Sequence, residues 1–299
     1  MKDSLTNQVA IVTGGGSGIG EGLCLELARR GAQVVVADIK GADAERVAAA
    51  IADQGGQATA STVDVAREED VRRLVEGTAS AYGRLDYLFN NAGIAIGGDA
   101  RDLTLDHWHR VLDVDLYGVL HGMRAAYPIM ARQGFGHIVN TSSADAFFPH
   151  PGNAPYCTAK HALVGLSLSL RLEGADLGVK VSCVCPGFVR TNIYRNVEVV
   201  NRVLPAGVTL EKLTGAPAKM MEPSRAAQVI LDGVARNRAL IVFPASMRWL
   251  RRANQLFPRL VERELLRQSR QQRRMFEAVA PATSERDPSG KREAPQSAG

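Results

Sequence analysis

The sequence predicts one doubly wound α/β domain with a parallel sheet of about seven strands flanked by helices, followed by a basic helical C-terminal extension. Short β-branched segments alternate with longer amphipathic segments over residues 1–245, and no internal repeat competes with this order. Each short segment is nearly all apolar, as is typical of strands covered on both faces. Helices between such strands imply a parallel sheet with right-handed crossovers.

The predicted elements alternate up to residue 243. Gly31, Gly55 and Gly178 are expected to end helices, because glycine adopts the left-handed conformation that a helix C-terminus often needs. The strands are predicted at residues 9–13, 33–37, 58–63, 87–89, 137–141, 180–184 and 240–243. The helices are predicted at residues 18–30, 41–53, 67–82, 104–132, 155–176 and 223–236.

Charge separates the chain into three parts. The 299 residues are 45% apolar and 22% charged, which excludes a disordered or fibrous protein. Residues 1–245 carry 24 Lys and Arg against 25 Asp and Glu, residues 246–277 carry 9 against 3, and residues 278–299 carry 3 against 3. We therefore expect a folded domain over 1–245, a basic amphipathic helical extension interrupted at Pro258, and a disordered tail over 278–299.

The basic segment 246–277 has two main interpretations. It forms a helical pair packed on the body or on a partner subunit, or it lies on an anionic membrane surface. Trp249 between Arg248 and Arg251 favours the membrane, whereas Glu262 and Glu264 favour packing on protein. A third interpretation, nucleic-acid contact, has no reading motif to support it, so no nucleic-acid partner is expected.

Neither a metal site nor a membrane span is predicted. Cys24, Cys157, Cys183 and Cys185 lack metal-ligand spacing and are expected to be buried, reduced thiols. No signal-peptide core is present, and no apolar stretch approaches the roughly 20 residues needed to cross a bilayer. We expect a cytoplasmic protein, with peripheral membrane contact through the basic segment as the open alternative.

A glycine-rich turn joins the first predicted strand to the first helix. Gly14, Gly18 and Gly20 lie in it, with Ser17 and Ile19 between them. Glycines let backbone N–H groups approach a phosphate, and the helix dipole favours negative charge at that point. The turn therefore predicts a bound dinucleotide.

Asp38 indicates which dinucleotide is bound. It ends the second predicted strand, where a carboxylate can accept hydrogen bonds from both adenosine ribose hydroxyls and would repel a 2′-phosphate. The uncharged Ser17 also favours NAD over NADP, while Lys40 is a counter-signal. The alternative role for Asp38 is a helix N-cap.

Tyr156 and Lys160 share one face of a predicted helix because they are four residues apart. An ammonium beside a phenol stabilises phenolate and lowers the tyrosine pKa, so that the hydroxyl can exchange a proton with an alcohol or a carbonyl. Ser143 follows a strand thirteen residues earlier, at the edge of the sheet where parallel sheets bind ligands.

Six motifs follow one another along the chain. They are Thr13-Gly14-x-x-x-Gly18-Ile19-Gly20, Asp64-Val65, Asn90-Asn91-Ala92-Gly93, Ser143, Tyr156-x-x-x-Lys160 and Pro186-Gly187-x-x-x-Thr191. In this order they resemble the motifs of the short-chain dehydrogenase/reductase family, over about residues 5–245. The resemblance implies a Rossmann-type fold, an NAD(P) cofactor and a homo-oligomer, often a tetramer built through helices 104–132 and 155–176.

The resemblance also implies a role for individual residues. Tyr156 would be the catalytic acid or base, Lys160 would bind the nicotinamide ribose, and Ser143 would hydrogen-bond the substrate oxygen. Asp64 would meet the adenine, and Thr191 would lie near the carboxamide. The full set expected to contact the cofactor is Gly14, Ser17, Gly18, Ile19, Gly20, Asp38, Asp64, Val65, Asn91, Ala92, Gly93, Tyr156, Lys160, Pro186, Gly187, Val189 and Thr191.

Asp115 departs from the family pattern. The helix before strand 137–141 usually carries Asn-x-x-Gly, whose Asn supports a proton-relaying water; here Asp115 precedes Leu116, Tyr117 and Gly118. A carboxylate near Lys160 would keep that lysine charged and partly offset its electrostatic effect on Tyr156. Asp115 is therefore an additional candidate for the catalytic set.

Two loops are candidates for the substrate side. His150 follows Ser143 and either faces the substrate or is an ordinary loop histidine. The connection 192–222 is apolar, which is typical of a lid and favours a bulky apolar substrate; the alternative is packing on the body. Its apolar residues are Ile193, Tyr194, Val199, Val200, Val203, Leu204, Leu213, Met220 and Met221.

These observations predict an NAD-dependent oxidoreductase that moves a hydride between nicotinamide and a secondary alcohol or ketone. Two alternatives stay open. One is an NADP-dependent carbonyl reductase. The other, favoured only by Asp115, is an NAD-binding regulatory protein without catalysis.

Overall fold

A computed structural model describes residues 5–194, 197–201 and 220–277. Its centre is a seven-stranded sheet in the order β3-β2-β1-β4-β6-β7-β9, and every neighbouring pair is parallel. The seven strands are β1 Val9–Thr13, β2 Gln33–Asp38, β3 Gln57–Thr62, β4 Tyr87–Asn90, β6 Gly136–Thr141, β7 Val179–Pro186 and β9 Leu240–Phe243. A separate parallel pair joins β5 Ile96–Gly97 to β8 Glu198–Val199.

Helices cover both faces of this sheet, as the alternating sequence pattern predicts. The helices on the body are α1 Gly18–Arg29, α2 Gly41–Asp53, α3 Glu68–Tyr82, α4 Leu105–Leu112, α5 Gly118–Gln133, α6 Ala154–Glu173 and α7 Pro223–Ala235. Gly31, Gly55 and Gly178 all have positive φ after a helical segment, as expected. The predicted doubly wound parallel fold is confirmed.

The core forms two main layers, one on each face of the sheet. One layer packs α1, α2 and α7 against the sheet around Leu23, Val36 and Ile230. The other packs α3 and α5 against it around Leu88 and Met130. β1 is buried along its whole length because it lies between β2 and β4.

The expectation that every strand is covered on both faces is wrong for β3. It lies at the edge of the sheet, and all of its residues are exposed or half-buried, so it is not covered on both faces. Its sequence, QATAST, carries polar side chains at alternate positions. That alternation is typical of a strand with one solvated face.

The predicted helix 104–132 contains one irregular turn. Thr104 caps the start of α4 by accepting a hydrogen bond from the His107 backbone. Between α4 and α5 lies the π-helical turn Asp113–Tyr117, which the sequence pattern did not predict. Such turns are frequent at functional sites, and this one carries Asp115.

The topology positions a binding crevice at one edge of the sheet. β1 lies between β2 on one side and β4 on the other, so the strand order reverses there. In open α/β sheets, ligands bind outside the carboxyl ends of the strands at this switch point. The glycine-rich turn follows β1 at that position.

The basic extension forms two helices, α8 Ala245–Leu256 and α9 Pro258–Glu277. The interruption lies at Pro258, as predicted. Asn254 Nδ2 donates to the Phe147 carbonyl at 2.8 Å, so α8 contacts the loop that follows Ser143. Over the described residues, no helix is both long and apolar enough to cross a membrane. The predicted tail 278–299 lies outside the described residues.

Candidate active site

The glycine-rich turn has the geometry of a phosphate cradle. Gly14 and Gly18 have φ values of +63° and +55°, which favour glycine. A Cβ on Gly20 would lie 1.9 Å from the Gly14 carbonyl oxygen, so only glycine fits there. Ser17 occupies the N-cap position of α1, and its side chain makes no capping hydrogen bond. Ile19 is half-buried at the start of the same helix.

Asn91 and Ala92 hold this turn from beneath. Asn91 Nδ2 donates to the carbonyls of Thr13 and Gly14 at 3.1 and 3.3 Å. The backbone N–H groups of Asn91 and Ala92 both donate to Thr13 Oγ1. Asn91 therefore stabilises the glycine-rich turn through hydrogen bonds.

Asp38 is tied to the same turn. Its Oδ2 accepts from the Gly16 N–H at 2.9 Å, and its Oδ1 accepts from the Lys40 N–H at 3.0 Å. Lys40, not Asp38, occupies the N-cap position of α2, so the helix-cap alternative for Asp38 is wrong. The carboxylate instead lies beside the turn that follows β1.

Sequence reasoning missed Arg46 at this end of the crevice. Its guanidinium donates to the Gly16 carbonyl at 2.7 Å and pairs with Glu21 at 2.8 Å. Arg46 lies on α2 and belongs to no recognisable motif, so the sequence did not predict its role. From α2 it stabilises the glycine-rich turn and the start of α1.

Asp64 and Val65 follow β3. Asp64 Oδ1 accepts from the Ala66 N–H at 3.0 Å and shapes this turn locally. Val65 is buried, and its carbonyl lies 3.0 Å from His121 Nδ1 on α5. A Cβ on Gly118 would lie 2.9 Å from Val65 Cγ2, so this segment packs closely on the start of α5.

Lys160 and Asp115 form a buried ion pair. Lys160 Nζ lies 3.0 Å from Asp115 Oδ2, and both side chains are almost fully enclosed, at 4% and 0% exposure. Burial raises the pKa of Asp115, and the Lys160 ammonium and the Ile94 N–H act against that rise. The Ile94 N–H donates to Asp115 Oδ1 at 2.7 Å. Asp115 therefore lies beside Lys160, as expected from the sequence.

Gly93 lies directly against this ion pair. A Cβ at that position would stand 3.3 Å from Asp115 Oδ2 and 3.4 Å from Lys160 Nζ. Any larger residue would crowd both charges. The glycine of the Asn-Asn-Ala-Gly motif thus leaves room around the lysine head.

Tyr156 and Lys160 lie near the start of α6, and Ser143 follows the carboxyl end of β6. Lys160 Nζ lies 5.3 Å from the centre of the Tyr156 ring and donates to the Thr141 carbonyl at 3.1 Å. Ser143 Oγ accepts from the Asp145 N–H at 3.1 Å, which fixes the hydroxyl at the start of the following turn. The Lys160 ammonium therefore lies beside the Tyr156 ring.

Ser142 is a supporting residue that sequence reasoning missed. Its hydroxyl is buried and donates to the Lys160 carbonyl at 2.7 Å, which ties α6 to the end of β6. Only its place beside Ser143 could have drawn attention to it. This hydrogen bond fixes the position of Lys160 relative to the end of β6.

His150 pairs with Asp145 in the loop after Ser143. The two side chains approach to 3.3 Å, and the hydrogen bond to Asp145 raises the pKa of His150 against the opposing effect of burial. Both side chains are about one-quarter exposed, at 25% and 27%. His150 is thus part of a local ion pair that braces this loop.

The segment after β7 reaches back to the glycine-rich turn. A Cβ on Gly18 would lie 3.0 Å from Thr191 Cγ2, so Thr191 sits against that turn. Pro186 ends β7, and the Gly187 N–H donates to the Phe243 carbonyl at 2.7 Å. The Val189 side chain is buried in the core, so it is not available to contact the cofactor.

The candidate lid is held at both ends in the described residues. Val200 N donates to the Gly97 carbonyl at 2.8 Å, and β8 pairs with β5. At the other end Val189 bridges Met221. Ile193, Tyr194, Val199 and Met220 also lie in the described ranges, whereas Val203, Leu204 and Leu213 lie outside them.

The described cysteines and histidines do not gather into a metal-binding group of three or more with the carboxylates of the same residues. Cys183 and Cys185 are buried, with their sulfur atoms 3.9 Å apart, and neither forms a disulfide. Burial raises the pKa of Cys157 to about 12, so this thiol stays protonated at neutral pH.

The chemistry of the assembled groups fits a dinucleotide. The glycine-rich turn offers backbone N–H groups and a helix N-terminus to a pyrophosphate, and Asp38 offers acceptors to a ribose. At the other end, the Tyr156 phenol and the Lys160 ammonium lie near the start of α6, and the Ser143 hydroxyl follows the end of β6. Such a set can bind a carbonyl or alcohol oxygen and exchange a proton with it.

Comparisons with known proteins agree with this geometry. The family model described as short chain dehydrogenase matches residues 8–200. A cyclohexanol dehydrogenase of Acinetobacter sp. (strain SE19) is 37% identical over 205 residues, which cover 68% of this chain and 81% of that protein.

Two solved structures share the fold over most of the chain. A short chain dehydrogenase/reductase from Burkholderia phymatum in complex with NAD has a TM-score of 0.77 and 28% identity, covering 87% of this chain and 96% of that one. A 3-ketoacyl-(acyl-carrier-protein) reductase from Brucella melitensis complexed with NADH has a TM-score of 0.70 and 29% identity, covering 80% and 96%. The chain belongs to the short-chain dehydrogenase/reductase family of oxidoreductases, with a Rossmann-type fold.

Proposed function

We propose that this protein is an NAD-dependent oxidoreductase that interconverts a secondary alcohol and a ketone. The observation that carries the proposal is the position of the Lys160 ammonium, 5.3 Å from the centre of the Tyr156 ring. A fixed cation beside a phenol favours phenolate, and a tyrosine so perturbed can exchange protons near neutral pH.

Each group of the site has a defined role in this proposal. Tyr156 takes the hydroxyl proton of the alcohol, or returns it to the carbonyl oxygen in reduction. Ser143 Oγ hydrogen-bonds the same substrate oxygen and fixes its distance from the phenol. Lys160 stabilises the phenolate and binds the ribose beside the nicotinamide. The bound nicotinamide supplies the hydride acceptor or donor.

The carboxylate of Asp38 supports NAD as the cofactor. It stands beside the Gly16 N–H, at the end of β2 where the adenosine ribose lies in a doubly wound fold. A 2′-phosphate there would meet an anion and lose binding energy. Lys40, two residues later, donates its backbone N–H to Asp38, and its exposed ammonium stays the counter-signal that favours NADP.

A bulky apolar alcohol is the substrate class we favour. The loop after Ser143 carries Phe147 and Phe148, whose rings lie 6.3 Å apart. Met247 of α8 packs against Gly187, directly after the end of β7, and these apolar side chains support an apolar substrate. The relative described as a cyclohexanol dehydrogenase points to the same class.

We also propose a cytoplasmic homo-oligomer, a tetramer or dimer, in which residues 1–245 form the catalytic domain and residues 246–277 are an added element. The exposed Leu105 and Leu172 on α4 and α6 support pairing through these helices. Peripheral membrane contact through the basic segment is the accompanying hypothesis, supported by the exposed Trp249.

A substrate screen tests the function. NADH formation is followed between pH 7 and pH 9 with cyclic and long-chain secondary alcohols, and ketone reduction is followed with NADH and with NADPH. We expect NAD-dependent turnover that falls at least a hundredfold in Ser143→Ala. Preference for NADPH would favour the carbonyl reductase alternative. Tight NAD binding without any turnover would favour the regulatory alternative, to which Asp115 lends the only support.

A further inference from the structure

Four arginines converge on a small cleft at the edge of the main sheet. The cleft has a volume of about 130 Å³ and lies between β9 and α8. It is separated from β1 and the glycine-rich turn by β4, β6 and β7. Its lining residues are Arg238, Arg248, Arg251, Arg252, Leu240 and Val242.

These arginines carry charge that the described part of the chain does not neutralise. Among the described residues, no carboxylate forms an ion pair with any of the four. Arg251 and Arg252 lie instead over the rings of Phe147 and Trp249, at 4.8 and 5.3 Å from their centres. The Nε atom of Arg251 is buried and has no hydrogen-bond partner.

We propose that this cleft binds a phosphate group. Planar guanidinium groups present paired N–H donors that match phosphate oxygens, and several of them can share one phosphate. A phosphate monoester carries about −1.5 to −2 charges at neutral pH and three acceptor oxygens, which suits four cations better than a carboxylate does. Arg251 lines the same cleft, with its guanidinium placed over the Phe147 ring.

The apolar part of the cleft indicates that the phosphate is an ester. Leu240 and Val242 form its floor on β9 and offer contact to a carbon substituent. Two sources share this chemistry, a soluble phosphate ester and a phospholipid headgroup. Exposed apolar side chains of the extension lie close by in sequence, at Trp249, Leu256, Phe257 and Leu260.

The test uses the full-length protein and inorganic phosphate as the probe. Trp249 adjoins the cleft and can report on it, and Trp108→Phe removes the other tryptophan of the chain. Phosphate is titrated against sodium chloride at matched ionic strength, with calorimetry in the presence of NAD as the second measurement. The Arg248→Ala/Arg252→Ala variant removes two exposed cleft arginines and leaves Arg251, which packs on Phe147, in place.

We expect saturable binding whose dissociation constant rises at least tenfold in that variant. The matched control is Arg259→Ala/Arg263→Ala, which removes two exposed arginines of α9 outside the cleft lining and should leave the constant within twofold. Absence of saturable binding, or an equal loss in the control variant, would overturn the proposal.

A second arm distinguishes the two sources. Co-sedimentation is measured with phosphatidylcholine vesicles that contain phosphatidic acid and with phosphatidylcholine alone. Phosphate binding together with acid-dependent sedimentation, both lost in the cleft variant, identifies a lipid headgroup. Phosphate binding without sedimentation identifies a soluble ester. Both readouts are independent of turnover, so they stand whether or not the proposed oxidoreductase activity is found.

Discussion

Lys160 Nζ and Asp115 Oδ2 lie 3.0 Å apart in a site closed to solvent. Asp115 is carried there by the π-helical turn Asp113–Tyr117 between α4 and α5. The lysine that stands beside the Tyr156 ring is thus balanced by a buried carboxylate. We therefore expect this arrangement to reduce the net charge that the phenol experiences and to influence the pH range in which the site works.

Asp115→Asn should move the alkaline activity profile to lower pH. The amide keeps an oxygen for the Ile94 N–H but removes the negative charge, so the uncompensated Lys160 ammonium lowers the Tyr156 pKa. A shift of about one pH unit in kcat/KM corresponds to about 1.4 kcal/mol of altered electrostatic interaction. Asp113→Asn, on the exposed side of the same turn, is the control. An unchanged pH–rate profile with unchanged kcat would show that Asp115 is not coupled to Tyr156.

Asp38→Asn should weaken the discrimination against NADP. The substitution keeps the side-chain size and one oxygen acceptor but removes the charge that repels a 2′-phosphate. We expect the ratio of kcat/KM for NADP over NAD to rise at least tenfold, which is about 1.4 kcal/mol. Asp53→Asn, at the far end of α2, should leave the ratio unchanged. An equal ratio in Asp38→Asn and the wild type would remove Asp38 from the cofactor assignment.

The His150–Asp145 pair should make stability depend on pH. The pKa of His150 is raised in the folded protein, so the pair stabilises the fold fully below the ordinary histidine pKa. The contribution is lost as pH rises through the folded value. Relative to His150→Gln, the wild type should gain about 1 kcal/mol in urea unfolding at pH 5.5 and little at pH 8.5. The exposed His109→Gln should show no such trend, and an equal difference at both pH values would contradict the pair.

Truncation after Ala245 should separate cofactor binding from substrate binding. The hydrogen bonds of the glycine-rich turn and Asp38 lie within residues 13–92, and Thr191, which packs on the turn, also precedes the cut, so the dissociation constant for NAD should change less than about threefold. The loop at Phe147 loses Asn254 and Arg251, and KM for the alcohol should rise about tenfold. Size exclusion and sedimentation with anionic vesicles show whether assembly or membrane binding changes. Loss of NAD binding would place the extension within the folding unit of the body.

Much of the fold was predictable because parallel strands leave a strong pattern. The register of β1 with β2 and β4 follows from buried apolar segments, and Gly31 and Gly178 end helices where the chain needs positive φ. The exposure of β3 was not predictable from β-propensity alone, because that exposure depends on its place at the edge of the sheet. The π-helical turn also left no signal, because it is a local change of hydrogen bonding within one amphipathic helix.

The site was predictable where spacing and chemistry coincide, as in Tyr156 and Lys160. Residues that support the site were not predicted, because they reach it only through contacts that the folded chain creates. Arg46 reaches the Gly16 carbonyl from another helix, and Ser142 holds the Lys160 backbone from the end of β6. Such contacts join residues that are distant in sequence and carry no spacing of their own. The contact of α8 with Phe147 is of the same kind.

Turnover of Tyr156→Phe with NAD and a secondary alcohol such as cyclohexanol tests the catalytic role of Tyr156 most directly. The substitution removes one oxygen atom and keeps the ring beside Lys160, so NAD affinity should stay within about threefold when measured by calorimetry. Without the phenol, proton exchange with the substrate oxygen loses its donor and acceptor, and kcat should fall by about 10³ or more. Turnover by Tyr156→Phe at the wild-type rate would contradict the assignment of this site.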